Sequence, residues 1–516
     1  MKPSTFLKST LILTVATLLS KILGSLFRVP LQNIAGDEVL GIFSLVYPVY
    51  MVALILSVAG IPIAISKLIA EARASGTKQD IFNIQKTARI LGLLLGAFSL
   101  GIILLFSRSI SQLIGGVSTE PALIAVSLTL LFAPYMAVDR GFFQGYEDMR
   151  PTAVSQVIEQ FIRVIFIISV ASYMVSLGYS PPYIAAGVMV SSLLGVLSSM
   201  VYLKTRLHRS KMKVDRKYNY NLNTFKVWGR RILSVSLPIA IGTVTMALFN
   251  VVDSLTVPHF LRTESGSETT YLYGIYGRGL AVVQIATVFA TSVVLPLIPS
   301  LTKHLESKNI KEARKLIETT RWATHVLSWP AAVLLLTLAV PINIALFTNA
   351  EGSLMLSITG FSSVFISMTL VGTAILQGMN ASRLAATIIL FGTLIKAIAN
   401  TVLVPFYSIE GAALATLITY ILIVVINNRM IRRLVEVPVF PAHLLKILVM
   451  SVLLGGMTAT TYLLANPFEW SRVFSFSFVA MTGLLFVVVY CPSLLKLKAF
   501  DHEMIQHVPL LSKWLK

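Results

Sequence analysis

One signature occurs twice in this chain at a single spacing. Gln144-Gly145, Arg150 and Arg163 return 233 residues later as Gln377-Gly378, Arg383 and Lys396, and each copy lies between two long apolar stretches. A second match sits at nearly the same offset, with Pro62-Ile63-Ala64-Ile65-Ser66 closing one apolar run and Pro296-Leu297-Ile298-Pro299-Ser300 closing another. The chain is therefore expected to form two related helical halves. In membranes, that architecture most often belongs to transporters whose site lies between the repeats.

The composition excludes a soluble enzyme, because 56% of residues are hydrophobic and 12% charged. A bilayer core takes about 20 apolar residues per helix. By that ruler the 516 residues divide into fourteen spans between positions 9 and 491, an all-α integral membrane protein with nothing left over for a soluble domain. The expected organisation is a six-helix lobe over 1–204, a basic cytoplasmic linker over 205–231, a second six-helix lobe over 232–430, and two extra helices with a cytoplasmic tail over 431–516. Lys2 and Lys8 ahead of Leu11–Leu19 resemble a signal peptide, but no small-residue cleavage site follows and the segment reads as the first span.

Charge tests the topology independently, since basic residues collect on the cytoplasmic side. Of the 42 Lys and Arg, 33 fall on the termini and loops that an inside N-terminus makes cytoplasmic, and only Arg108, Arg262 and Arg472 fall on outer loops. The net charge of +20 is thus spread over membrane-flanking loops, with no fold to present it to nucleic acid. Its densest stretch, Lys204 to Arg231, suits anionic headgroups, with regulatory or partner binding as the alternative. Cys491 is the lone cysteine and the seven histidines are scattered without ligand spacing, so neither a metal site nor a cofactor is expected.

Ionisable groups inside spans carry the functional information, because each costs several kcal/mol unless it faces a cavity or a partner. Lys21 and Arg28, seven residues apart, are expected on one face of the first span with Gly24 and Ser25 between them; Arg28 alone could instead snorkel to the interface. Tyr276-Gly277-Arg278-Gly279 opens the eighth span, and its glycines are expected to leave the guanidinium room for a bulky ligand. Arg suits pyrophosphate because its planar fork donates two hydrogen bonds to phosphate oxygens; an outer-leaflet anchor is the other reading. Glu159 and Arg163 stand four apart in the favourable order for a helical ion pair. Lys396 repeats Arg163 but has Gly392 where Glu159 would stand, so its partners are expected on another helix, with Asp253 and Asn400 the polar groups of the same half. Asp139-Arg140 lie near the cytoplasmic end of the fourth span and read as structural or gating residues.

The stretch Ser20-Lys21-Ile22-Leu23-Gly24 with Arg28, followed by Gly60-Ile61-Pro62 and its continuation to Glu71, resembles the polysaccharide-exporter branch of the multidrug/oligosaccharidyl-lipid/polysaccharide superfamily. It is most similar to stage V sporulation protein B-like and MurJ-type lipid II flippases. The resemblance implies two six-helix lobes in a V shape, a central cationic cavity and two extra C-terminal helices. It also implies that Lys21, Arg28 and Arg278 meet a lipid-linked pyrophosphate. The basic residue such flippases carry late in the second span has no counterpart between Val39 and Ser66, which admits another undecaprenyl-pyrophosphate-linked glycan beside lipid II.

The expected function is a non-enzymatic flippase of the bacterial plasma membrane. It moves an undecaprenyl-pyrophosphate-linked sugar from the inner to the outer leaflet, with membrane lipid and cell-wall synthesis proteins as its other partners. A cation-coupled multidrug exporter of the same superfamily is the alternative. Cationic drugs would favour carboxylates, whereas the span-associated charges are six basic (Lys21, Arg28, Arg140, Arg163, Arg278, Lys396) against three acidic (Asp139, Glu159, Asp253). A membrane-embedded glycosyltransferase or polymerase is the rival from another class, and the basic character of the largest loop counts against it.

Overall fold

Prolines and small residues decide where these helices start and how closely they pack. In the computed structural model, which describes residues 3–58, 60–210, 218–435, 444–463 and 465–497, every regular element is helical. The linker segment 211–217 and the C-terminal tail lie outside the described residues. The chain clusters into two compact units divided between Gly277 and Arg278.

The first unit contains α1 (Pro3–Leu26), α2 (Arg28–Val58), α3 (Ile61–Ala74), α4 (Lys78–Leu113), α5 (Glu120–Ser127), α6 (Thr129–Gly145), α7 (Arg150–Ser176), α8 (Pro181–Arg209) and α9 (Leu222–Phe260). The unit boundary falls inside α10 (Gly266–Ala286). Proline occupies the first turn of α3, α7 and α8, where its missing N–H has no intrahelical partner to lose. Asn221 caps α9 by accepting from the Thr224 N–H at 2.8 Å. Within this unit α1 packs on α7, α7 on α8, α6 on α3 and α4, and α9 on α2.

The second unit holds α11 (Val288–Glu306), α12 (Ile310–Thr337), α13 (Ala339–Phe347), α14 (Ser353–Gly378), α15 (Ser382–Leu434), α16 (Leu444–Leu463) and α17 (Arg472–Lys496). Its centre is α14, which packs on α11, α12 and α15, while α16 lies on α12 and α17 on α13.

Ten of the described helical runs are long and apolar enough to cross a bilayer, or up to eleven when the bent pair α12 and α13 counts as one span, against fourteen expected. Part of the difference is geometric. Ile12–Ala74 and Ser382–Leu434 each count once, yet at 1.5 Å per residue they would run about 95 and about 80 Å, well beyond a core of about 30 Å. Both hold a residue outside the helical region, Gly36 (φ 83°, ψ 176°) and Ser408 (φ 51°, ψ −133°), so neither is a single rod.

The two duplicated motifs meet each other in both units. Gly145 of the first Gln-Gly lies against α3, where an added Cβ would stand 2.8 Å from Ile69 and 3.0 Å from the Ser66 carbonyl. Gly378 of the second lies against α11, where an added Cβ would stand 3.1 Å from Leu301 and 3.3 Å from the Ile298 carbonyl. Each glycine carbonyl also takes a side-chain donor at 3.0 Å, Arg73 Nη1 in one case and Thr302 Oγ1 in the other. Close helix approach is what holds membrane bundles together, since lipid removes the hydrophobic driving force between helices. Accordingly, Gly145→Ala should lower stability by about 1–3 kcal/mol through overpacking. Gly101→Ala, inside α4 with nothing within 4 Å of the added carbon, should instead raise stability by about 0.5–1 kcal/mol through helix propensity. Thermal melting of detergent-purified protein reads both.

Candidate functional site

A cation inside a bilayer has no water to solvate it, so the informative question at each one is what takes its place. Arg28 opens α2 directly after Phe27, which interrupts the helix between it and Lys21. The two cations differ in setting: Lys21 is exposed, whereas Arg28 is only 8% exposed and does not snorkel. Among the described residues the Arg28 side chain makes no hydrogen bond or ion pair, and its Nε is buried without a partner. The ionisable groups it senses are the phenols of Tyr47 on α2 and Tyr273 on α10. Phe43 stacks on Tyr47 at 5.3 Å and Tyr276 packs edge-on against Tyr273 at 5.6 Å, so both phenols are held by their neighbours. Beside Lys21, Gly24 faces Gln160 of α7, whose Oε1 is buried without a donor.

Tyr47 is also within electrostatic reach of Arg163. Glu159 accepts from Arg163 at 3.0 Å and from Arg140 at 2.7 Å, so the acid on α7 sits between two guanidiniums. Arg140 also donates through Nε to Ser155 Oγ at 3.0 Å and through Nη2 to Ser199 Oγ at 3.1 Å. The neighbouring Asp139 is fully buried and accepts from Arg89 of α4 at 2.6 Å. These two contacts assign Asp139 and Arg140 to different clusters, although they are adjacent in sequence. Arg89 was not singled out by sequence, because it stands at a span end where a cation needs no explanation.

Arg278 is fully buried in the second unit. Its Nη1 donates to Asn349 Oδ1 at 2.7 Å and to Asn343 Oδ1 at 3.4 Å, and its guanidinium lies over the Phe347 ring at 5.4 Å. Asn343 in turn donates to the Glu351 carbonyl at 2.6 Å and to Ser353 Oγ at 3.0 Å. The end of α13 and the turn after it thus wrap the cation in amides. Nor do the flanking glycines leave it room: a Cβ on Gly277 would stand 2.7 Å from Ser44 Oγ, and one on Gly279 2.9 Å from Met355 Sδ. Their smallness serves helix packing.

Asp253 is buried in the first unit and accepts from the Tyr276 hydroxyl at 3.0 Å. Lys396 and Asn400 are buried one helical turn apart on α15 in the second.

Comparison with known proteins places this geometry in context. Residues 6–305 match the family model described as polysaccharide biosynthesis protein. Membrane protein YabM of Bacillus subtilis strain 168 is 30% identical, with 98% of this chain and 95% of that one covered. Lipid II flippase MurJ of the same organism is 27% identical, over 83% of each chain. Among solved structures, a lipid II flippase MurJ in an inward closed conformation superposes with a TM-score of 0.66 at 16% identity, covering 94% of this chain and 100% of that one, which makes the fold alike.

The charge cluster on α7 has a measurable signature. Glu159→Gln leaves two guanidiniums facing a neutral amide, which should destabilise the protein by about 3–5 kcal/mol. Arg163→Gln leaves Arg140 on the carboxylate and should cost less, and the double variant should fall short of the sum of the singles. Melting temperatures of the three variants in detergent test the order.

Proposed function

Because the chain belongs to the polysaccharide biosynthesis protein family, we propose that it is a flippase for a polyprenyl-pyrophosphate-linked glycan, a lipid II-like precursor or a related polysaccharide unit, moved from inner to outer leaflet by alternating access. In this reading it is a membrane transporter and not an enzyme, in keeping with the lipid II flippase among its relatives and with the lipid II flippase and multidrug resistance MATE family transporter whose folds it shares. The observation that carries the finer reading is Arg28. A buried guanidinium without a hydrogen bond or ion pair among the described residues is suited to an anionic ligand, and a pyrophosphate offers oxygens in the spacing of its fork.

In this reading Lys21 contributes a second positive charge on the approach to Arg28. Arg278 contributes only when Asn343 and Asn349 release it. A cationic drug would gain nothing from either Lys21 or Arg28, which separates this function from multidrug export. The duplicated halves, 1–204 and 232–430, act as the two lobes of the cycle, the 205–231 linker joins them, and 431–516 supplies the extra helices and tail. The setting is a bacterial plasma membrane with both termini cytoplasmic. The carrier is undecaprenyl pyrophosphate, and the roles are in peptidoglycan or sporulation, beside cell-wall synthesis proteins.

Neutralising these cations tests the proposal. Arg28→Gln and Lys21→Ala should each reduce complementation of a flippase-deficient strain at unchanged membrane abundance, and the double variant should abolish it. Reconstituted vesicles should show the same order in transfer of a fluorescent polyprenyl-pyrophosphate glycan. Wild-type transfer by the double variant would sink the assignment.

A further inference from the structure

The first half of α9 carries a stripe whose chemistry changes along the helix axis. Lys226, Arg230, Leu233 and Leu237 follow one another at intervals of four, three and four residues, which at 3.6 residues per turn keeps all four within about 60° on one face. All four are exposed, and with Phe225 and with Leu91 of α4 they line an open groove of about 450 Å³ inside the first unit. Gly229 seats α9 against α4 beside this groove, where an added Cβ would stand 3.7 Å from Leu91 Cδ1. The stripe is thus cationic in its first turns and aliphatic further in.

Basic residues around the groove divide into those already engaged and two that are not. Arg231 is held by Glu71 at 2.8 Å and lies over the Trp228 ring at 5.2 Å. Lys86 lies over the Tyr220 ring at 4.4 Å and Lys204 over the Tyr135 ring at 4.9 Å. Among the described residues Lys226 and Arg230 make no hydrogen bond, ion pair or ring contact, and no acid lines the groove. A small hydrated anion answers the charge but not the leucines, and a neutral lipid fills the apolar length but leaves both cations uncancelled. A molecule with an anionic head and a hydrocarbon chain matches the two ends at once. The helix is also long enough to offer both settings: at 1.5 Å per residue α9 runs about 58 Å, against a bilayer core of about 30 Å, so its first turns have room at the level of the headgroups.

We propose that this groove binds an anionic diacyl phospholipid, with the phosphate on Lys226 and Arg230 and one acyl chain lying along Leu91, Leu233 and Leu237. Charge complementarity selects the head, and the apolar lining selects a chain over a free phosphate. The groove shares no residue with the Lys21 and Arg28 site, so this lipid is a resident of the α4 and α9 seam and not the cargo. Bound there, it covers the seam and makes the stability of the first unit follow the charge of the surrounding lipid.

The full chain, purified in a neutral maltoside detergent, is titrated with phosphatidylglycerol or with phosphatidylcholine of the same acyl chains, and bound lipid is counted by native mass spectrometry. One saturable phosphatidylglycerol site is expected, with a rise in melting temperature. Phosphatidylcholine should bind it roughly 25-fold more weakly, since each Lys or Arg near an anionic headgroup is worth about fivefold in binding. Lys226→Gln and Arg230→Gln should each lower phosphatidylglycerol affinity about fivefold, and the double variant should bind the two lipids alike. Ser234→Trp keeps both cations but fills the groove with an indole, and should abolish the site. Arg432→Gln, an equally exposed cation on α15, should leave it unchanged. Glycerol phosphate, which has the head without the chains, should not compete. Equal binding of the two lipids by the wild type overturns the proposal, as does selective binding that survives the double charge variant or Ser234→Trp, or displacement of the lipid by glycerol phosphate.

Discussion

A guanidinium out of reach of water must find its solvation in the protein, and that single requirement organises the interior of this chain. In the first unit the remedy is a carboxylate: Glu159 serves Arg140 and Arg163, and Asp139 serves Arg89. Sharing one acid between two bases leaves the α7 cluster with an excess positive charge, and the hydroxyls of Ser155 and Ser199 satisfy geometry without cancelling it. Arg28 has neither remedy among the described residues. Desolvation of an isolated ion is expensive enough that such an arrangement persists only when it serves something.

Close backbone approach is the second constraint, and it explains why a sequence duplication was visible at all. Gly145 rests on α3 and Gly378 on α11, so the Gln-Gly motif and the proline motif found at matching offsets are the two sides of one helix contact, made once in each unit. Side-chain identities can drift between halves as long as hydrophobic packing is kept. A glycine packed against a backbone carbonyl drifts less readily, because an added Cβ would crowd it. The repeat thus marks a close contact made once in each unit, although Gly41, Gly60 and Gly274 pack closer still.

The helical class, the membrane setting and the cations inside spans were legible because they depend on local composition and on the cost of charge in lipid. What escaped was set by the third dimension. Arg140 and Glu159 are 19 residues apart and their contact cannot be read from helical spacing, unlike Glu159 and Arg163 on one helix. The amide cradle of Arg278 comes from Asn343 and Asn349, more than sixty residues downstream and unremarkable as sequence. The glycines beside Arg278 were legible as small but not as to purpose, since space for a ligand and space for a neighbouring helix leave the same mark. The helix break at Phe27 did have a sequence signal in Pro30, which has no N–H to give the Leu26 carbonyl, but the face drawn through Lys21 and Arg28 took no account of it.

The two units also differ in the kind of partner they give their cations. Carboxylates in the first unit cancel charge, whereas in the second Arg278 donates to the amides of Asn343 and Asn349 and Arg321 to that of Asn428. An amide satisfies hydrogen bonds while leaving the field of the cation in place. The duplicated position follows the same division, with Glu159 beside Arg163 in one half and Gly392 in its place before Lys396 in the other. The acid that serves Arg163 from within its own helix thus has no counterpart four residues before Lys396, and the two halves satisfy their matching cations by different means.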